Sequence, residues 1–312
     1  MKDLVSLPKI IIAGGTGFLG QLLAQSLIKD GYDVVLLSRN VSQRAVLGRL
    51  VLWNGESIDD WIEELEGSWA LINLTGRSID CRHTASNRQE ILDSRIKSTR
   101  VLCEALHQCK RPPTVWLNAS SMALYGQCIG DEGAHDENSP IIKSGFLEEI
   151  TVAWEDEFFK FNSPNVRQVA MRISFILGRS SGAFPLLKKL ASFGLGGQQG
   201  SGRQWMSWLH EDDWVGIVRF LLEKEDITGP VNLASPIPVK NKDFMRILRN
   251  HFAPLRMGLP APSFGVWIGC FLLGSAPELA LQSRRVTSTV LEDKKYSFIY
   301  SSLNGAIGSL TE

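Results

Sequence analysis

The chain's 312 residues are enough for one large core, or for a main core with a smaller lobe beside it. Lys plus Arg and Asp plus Glu number 33 each, so no net field draws the chain to nucleic acid or to an anionic membrane, and neither is expected as a partner. The 44% hydrophobic and 21% charged content fits a globular protein acting on a small molecule, and five cysteines with no CxxC spacing argue against structural zinc or a disulfide framework. The opening MKDLVSLPK lacks the apolar run of a secretory signal. With the cysteine usage, this gives the expectation of a cytoplasmic location.

Along the chain, short apolar runs alternate with longer amphipathic ones, the βαβ signature of a parallel sheet. Residues 9–13 (KIIIA) read as the first strand and 17–30 as the first helix. The second strand is 32–38 (YDVVLLS), the third 49–53 and the fourth 69–74 (WALINL). A long helix over 87–108 leads to a fifth strand at 114–119, and a helix over 146–161 leads to a sixth at 168–173. Strands apolar on both faces and bounded by Gly, Asn or Ser suit a doubly wound α/β sheet of Rossmann type.

Beyond Gly178 the texture changes to the glycine-rich RSSGAFPLL and GLGGQQGSGRQW, as expected of loops crossing a ligand pocket. Residues 230–234 (PVNLA) return to the sheet, and after Pro236 repeated prolines separate short helix candidates. The expected division is therefore a dinucleotide domain of residues 1–178 and 206–236, and a small, mostly helical substrate-side lobe of 179–205 and 237–312. The most apolar run, FGVWIGCFLLG at 264–274, is far short of the about 20 residues that span a bilayer, so it reads as a buried or interface helix.

Gly14-Gly15-Thr16-Gly17-Phe18-Leu19-Gly20 follows the first strand directly and opens the first helix. Glycines at this spacing allow a tight turn, close approach of backbone to a pyrophosphate, and close helix–strand packing. The pyrophosphate charge then meets free N–H groups at a helix N-terminus. An NAD site places Asp or Glu at the end of the second strand, about 20 residues on, to hold the ribose 2′-hydroxyl. Here the strand ends in Ser38-Arg39-Asn40, with no acid. Arg39 suits a 2′-phosphate, with Ser38 and Asn40 as further donors, so the expected cofactor is NADP(H).

These segments resemble the extended short-chain dehydrogenase/reductase superfamily, which includes nucleotide-sugar epimerases and dehydratases. GGTGFLG is similar to its glycine loop, Asn73-Leu74-Thr75-Gly76 to its fourth-strand end, and Ser120-Ser121-Met122-Ala123-Leu124-Tyr125-Gly126 to its SSxxxYG segment. Arg172 with Leu177-Gly178, and Leu209-His210-Glu211-Asp212-Asp213, resemble later signatures. DSRIKSTRVL at 93–102, GLGGQQGSGRQWMSWLHEDD at 194–213, GPVNLASPIPVKNKDF at 229–244 and QSRRV at 282–286 resemble an atypical "epimerase family" subfamily with no assigned substrate.

The resemblance implies that Leu74, Thr75, Gly76 and Ser120 join the glycine loop in holding cofactor. It also implies a Ser-Tyr-Lys set, in which Ser polarises the substrate oxygen, Tyr exchanges its proton, and Lys lowers the Tyr pKa and holds the ribose. Ser121 falls in the Ser register, with Ser120 a close alternative. Phe146 stands in the Tyr place and Ile150 in the Lys place, and neither carries a proton. The remaining proton-carrier candidates are Tyr125, His210 and, more remotely, His83. Trp205, Met206 and Trp208 are read either as one wall of a pocket or as core, and Arg203 as an anion contact or a solvated charge.

Three readings follow. One is a carbonyl-reducing enzyme with a rearranged acid/base, another a non-catalytic NADP(H)-binding scaffold or redox-linked regulator, and the last an ordinary nucleotide-sugar epimerase, which ranks below them for want of the tyrosine. The superfamily's helix-pair dimer contact would fall on 87–108 and 146–161, leaving monomer and homodimer both open.

Overall fold

The structure, a computed structural model, describes residues 8–42, 46–128, 130 and 133–311. In chain order the first half comprises β1 (Lys9–Ala13), α1 (Phe18–Lys29), β2 (Asp33–Ser38), β3 (Arg49–Leu52), β4 (Ala70–Asn73), α2 (Ala85–Gln108), β5 (Val115–Ser121), α3 (Phe146–Phe159) and β6 (Arg167–Ile173). There follow β7 (Phe175–Leu177), α4 (Phe184–Ser192), β8 (Trp205–Met206), β9 (Trp208–His210), α5 (Glu211–Glu223), β10 (Gly229–Leu233), β11 (Val239–Lys240) and α6 (Asn241–Phe252). The C-terminal helices are α7 (Ser263–Leu273), α8 (Pro277–Leu281), α9 (Thr289–Asp293) and α10 (Leu303–Ser309).

Seven strands form one parallel sheet in the order β10-β6-β5-β4-β1-β2-β3. Alternation along β1 explains why the strands are apolar on both faces. Ile10 and Ile12 join a core with Leu23 and Leu27 of α1 and Trp214 and Ile217 of α5. Ile11 and Ala13 join the opposite layer with Val101 and Leu102 of α2 and Phe158 of α3. Each face therefore has its own helices, as a doubly wound α/β fold requires. A third cluster, including Phe184, Trp208, Phe244 and Ile307, packs α4, α6 and α10 beyond the sheet.

All seven expected strands are present in this sheet, with ends shifted by a residue or two. α2 starts at Ala85 because Thr84 caps it, its hydroxyl accepting from the Asn87 N–H at 3.2 Å. β5 runs on through Ser121 because Ser120 and Ser121 still pair with Arg172 and Ile173 of β6. The pairings β7·β9 and β8·β11 were not expected, since two- or three-residue strands give no readable period.

For the apolar run at 264–274, expected as a buried or interface helix, the structure excludes burial within the described chain. α7 is helical, but only Val266 is buried, while Phe264, Phe271 and Leu272 are 70%, 63% and 77% exposed. One side rests on the loop before α2, where Arg82 lies 4.4 Å from the Phe271 ring centroid and donates to its carbonyl at 2.9 Å. Nothing among the described residues covers the other side. No helix among them is long and apolar enough to cross a membrane.

Candidate cofactor cleft and active site

The strand order reverses between β1 and β4, and the crevice at their C-terminal ends is where such sheets bind ligands. The glycine loop occupies that point. Gly14 has φ +74°, and a Cβ there would lie 2.9 Å from the Leu74 carbonyl, so only glycine serves the turn. A Cβ on Gly20 would meet Gly15 Cα at 2.5 Å, so this glycine sets the close seating of α1 on the loop. Gly17 is the N-cap of α1 and supplies no side-chain cap, leaving first-turn N–H groups without side-chain partners where Gly17 borders the cleft.

That cleft has a volume of about 760 Å³ and is bordered by Gly14, Thr16, Gly17, Leu37–Asn40, and Leu74–Arg77. Gly15, Phe18, Leu19 and Gly20 support the loop from beneath rather than bordering it; the Phe18 ring covers Gly178, and the Leu19 carbonyl accepts from Trp214 Nε1 at 3.3 Å. The Ser38 hydroxyl donates to the Asn40 carbonyl at 2.9 Å and accepts from the Asn40 N–H at 3.2 Å, which folds the end of β2 back on itself. Arg39 is exposed on the rim and makes no hydrogen bond or ion pair with any described residue. No acid stands beside it on the strand. This set fits a dinucleotide carrying a 2′-phosphate.

A smaller pocket of about 190 Å³ shares Leu74, Thr75 and Gly76 with the cleft and continues between β5, α2 and α3. Its hydroxyls divide sharply. Ser120 donates to the Glu155 carboxylate, Thr151 to the Leu147 carbonyl at 2.7 Å, and Thr75 to Asn73 Oδ1 at 2.6 Å. Ser121 only accepts, from the Ala123 N–H at 3.2 Å, and its proton has no acceptor among the described residues. Register alone left both serines open; the hydrogen bonds separate them. Ile150 lines this pocket. Phe146 does not, and its ring lies under the Arg88 guanidinium, 4.7 Å away, and edge-on to His83 at 5.2 Å.

The other candidates lie elsewhere. Tyr125 is fully buried, its hydroxyl accepting from Arg172 Nη1 at 2.7 Å and donating to Asn232 Oδ1 at 2.9 Å. Arg172 in turn forms a two-pronged pair with Glu155, at 2.9 and 2.8 Å. Burial pushes the Tyr125 pKa up, against the opposing pull of Arg172. Neither Tyr125 nor His210 borders either cavity. Trp208 sits in the third core cluster, while Arg285 and Lys240 lie 4.2 and 5.1 Å from the Trp205 ring; Met206 is half-buried against that cluster and Arg203 is exposed.

His210 caps α5, its Nδ1 accepting from the Asp212 N–H at 3.1 Å. Nε2 therefore carries the proton and donates to Ser309 Oγ at 3.0 Å. Burial pushes its pKa down from 6.5 to about 4, opposed by Asp212. The folded protein thus binds this proton less readily than the unfolded chain. The stability His210 contributes is complete above pH 6.5 and is lost as the pH falls toward 4. The neighbouring carboxyls of Glu211 and Asp213, pushed up by burial, act in the opposite direction. His210→Asn should flatten the fall in melting temperature across that window; an unchanged pH profile would show that His210 does not set it.

Sequence reasoning missed Arg95, Trp154 and Glu155. Arg95 left a signal, since it falls on the buried stripe of α2 that carries Ile91, Ser98 and Leu102, where a charge is out of place.

Strand order, glycine loop and adjoining pocket together define an α/β protein built to hold a dinucleotide beside a small ligand. The description "NAD dependent epimerase/dehydratase family" matches residues 10–234, and the chain belongs to that family. It is 33% identical over 310 residues to the epimerase family protein YfhF of Bacillus subtilis, covering 96% of this chain and 97% of that one. It is 29% identical over 308 residues to the chloroplastic SDR39U1 homolog of Arabidopsis thaliana, covering 97% and 86% of the two chains. The fold is similar to that of human epimerase family protein SDR39U1, solved with NADPH, at a TM-score of 0.86 and 26% identity over 97% of this chain and 99% of that one.

Proposed function

We propose that the chain binds NADP(H) in the larger cleft and reduces a small carbonyl compound, or oxidises the matching alcohol, in the pocket beside it. The carrying observation is the Ser121 hydroxyl, the one hydroxyl of that pocket whose proton has no acceptor among the described residues. Arg39 at the rim and the NADPH of the human relative support the choice of cofactor. Held by the glycine loop and Arg39, NADPH would supply hydride chemistry to a carbonyl in the smaller pocket. Ser121 donates a hydrogen bond to the oxygen as negative charge builds there, and water entering from the cleft supplies the proton that completes the alcohol. Phe146 and Ile150 leave no phenol–amine pair for this task, so Ser121 carries the polarisation without the usual partners.

The test follows loss of reduced-nicotinamide absorbance with a panel of aldehydes and ketones. Ser121→Ala should lower kcat about 10²- to 10³-fold, the cost of removing one oxyanion donor. Phe146 and Ile150 favour a second reading, an NADP(H)-binding scaffold. Tight NADPH binding with no turnover of any carbonyl, unaltered by Ser121→Ala, would support that reading and overturn the first.

A further inference from the structure

Arg95 is out of keeping with its surroundings. The buried arginines Arg172 and Arg284 are each paired with a carboxylate, Glu155 and Glu148, at 2.8 Å. Arg95 has no such partner among the described residues. Its Nη1 donates to the carbonyls of Arg77 and Ile91, at 3.0 and 2.9 Å, and its guanidinium stands 5.1 Å from the Trp154 ring centroid. These contacts fix the plane of the group while Nε and Nη2 donate to nothing among the described residues. The residue lines the smaller pocket together with Thr75, Gly76, Ser121 and Ile150. Desolvation alone pushes its pKa down, to about 10, so it stays a cation at neutral pH with no nearby carboxylate acting on it.

A desolvated cation with free donors is a costly feature unless a ligand completes it. The cavity wall also holds an isoleucine where the resemblance calls for a ribose-holding lysine. We propose that Arg95, reaching in from α2, takes over the role of the lysine absent at position 150: Nε and Nη2 hold the hydroxyls of the cofactor's nicotinamide-side ribose. The assignment rests on the NADP(H) reading above. It gives the pocket a fixed positive charge, which disfavours the positively charged oxidised nicotinamide relative to the neutral reduced ring.

Binding of three probes tests this without turnover: 2′,5′-ADP, which lacks the far ribose; 2′-phospho-ADP-ribose, which has that ribose but no nicotinamide; and NADPH. Arg95→Met should leave 2′,5′-ADP affinity unchanged and weaken the other two about 10- to 100-fold, the range for hydrogen bonds to a charged group. Arg95→Lys should recover part of the loss. Arg95→Met should also lower the preference for NADPH over NADP⁺ about tenfold, as expected when a nearby like charge is removed. If Arg95→Met does not fold, Arg95→Gln replaces it for the same titrations. Equal weakening of all three probes, or no weakening of any, overturns the assignment. Failure of the unaltered protein to bind 2′,5′-ADP or NADPH instead overturns the cofactor reading, and the assignment with it.

Discussion

Replacing Arg39 with alanine is expected to weaken NADPH binding about 10- to 100-fold, the range for a hydrogen-bonded ion pair, and to leave NADH binding nearly unchanged. The asymmetry follows from where the residue stands. Arg39 is on the cleft rim just after β2 and has no carboxylate or carbonyl partner to lose among the described residues. Its removal therefore leaves the empty protein undisturbed and costs only the ligand's 2′-phosphate contact. Because the group is exposed, the difference between NADPH and NADH should shrink as salt is raised. Equilibrium titration of both cofactors at low and high salt checks this. Equal losses for the two would mean that Arg39 supports the loop rather than the phosphate.

Arg172→Met should be strongly destabilising. Arg172 on β6 holds Glu155 of α3 by two hydrogen bonds and the Tyr125 hydroxyl by a third, and Tyr125 passes the chain on to Asn232 of β10. Removing the cation leaves the Glu155 carboxylate buried and unpaired, with only the Ser120 hydroxyl donating to it. Breaking such a pair costs about 3–5 kcal/mol. At about 2–4 °C per kcal/mol, the melting temperature should fall by roughly 6–20 °C. Tyr125→Phe should cost less, about 1–3 kcal/mol, by leaving the Asn232 acceptor unsatisfied. Thermal unfolding of both variants, with turnover measured well below the transition, separates bracing from chemistry. A stable Tyr125→Phe that has lost all turnover would make Tyr125 a proton carrier after all.

The fold was legible because its signals are local. Apolar runs of strand length, helical spacing between them and glycines at fixed offsets each follow from a few neighbouring residues, and all seven sheet strands were readable on that basis. The place of Arg39 on the cleft rim was legible for the same reason, being set by the strand end it follows. What was hidden depends on partners far along the chain. Ser120 and Ser121 are adjacent and alike in sequence; their hydrogen bonds differ because Ser120 donates to Glu155, 35 residues on. His210 reads as a possible base until its contact with Ser309, 99 residues away, shows both ring nitrogens engaged. The exposed face of α7 removes one half of a two-way reading, buried or interface, for a different reason. Hydrophobicity predicts burial only where another element arrives to cover it, and no described part of this chain does.

The position of Gly14 also bears on the order of events during folding. The glycine loop is continuous in sequence, yet its turn closes against the backbone of Leu74 and Thr75, which directly follow β4, the strand on the far side of β1. A nascent chain that has exposed only β1 through β3 thus has the loop's residues without the wall that shapes them. Cofactor capture must wait until β4 is inserted at the centre of the sheet, a non-local pairing that is slow to form. Any stabilisation by NADPH is consequently a late one, acting through mass action on the assembled sheet rather than guiding its first steps.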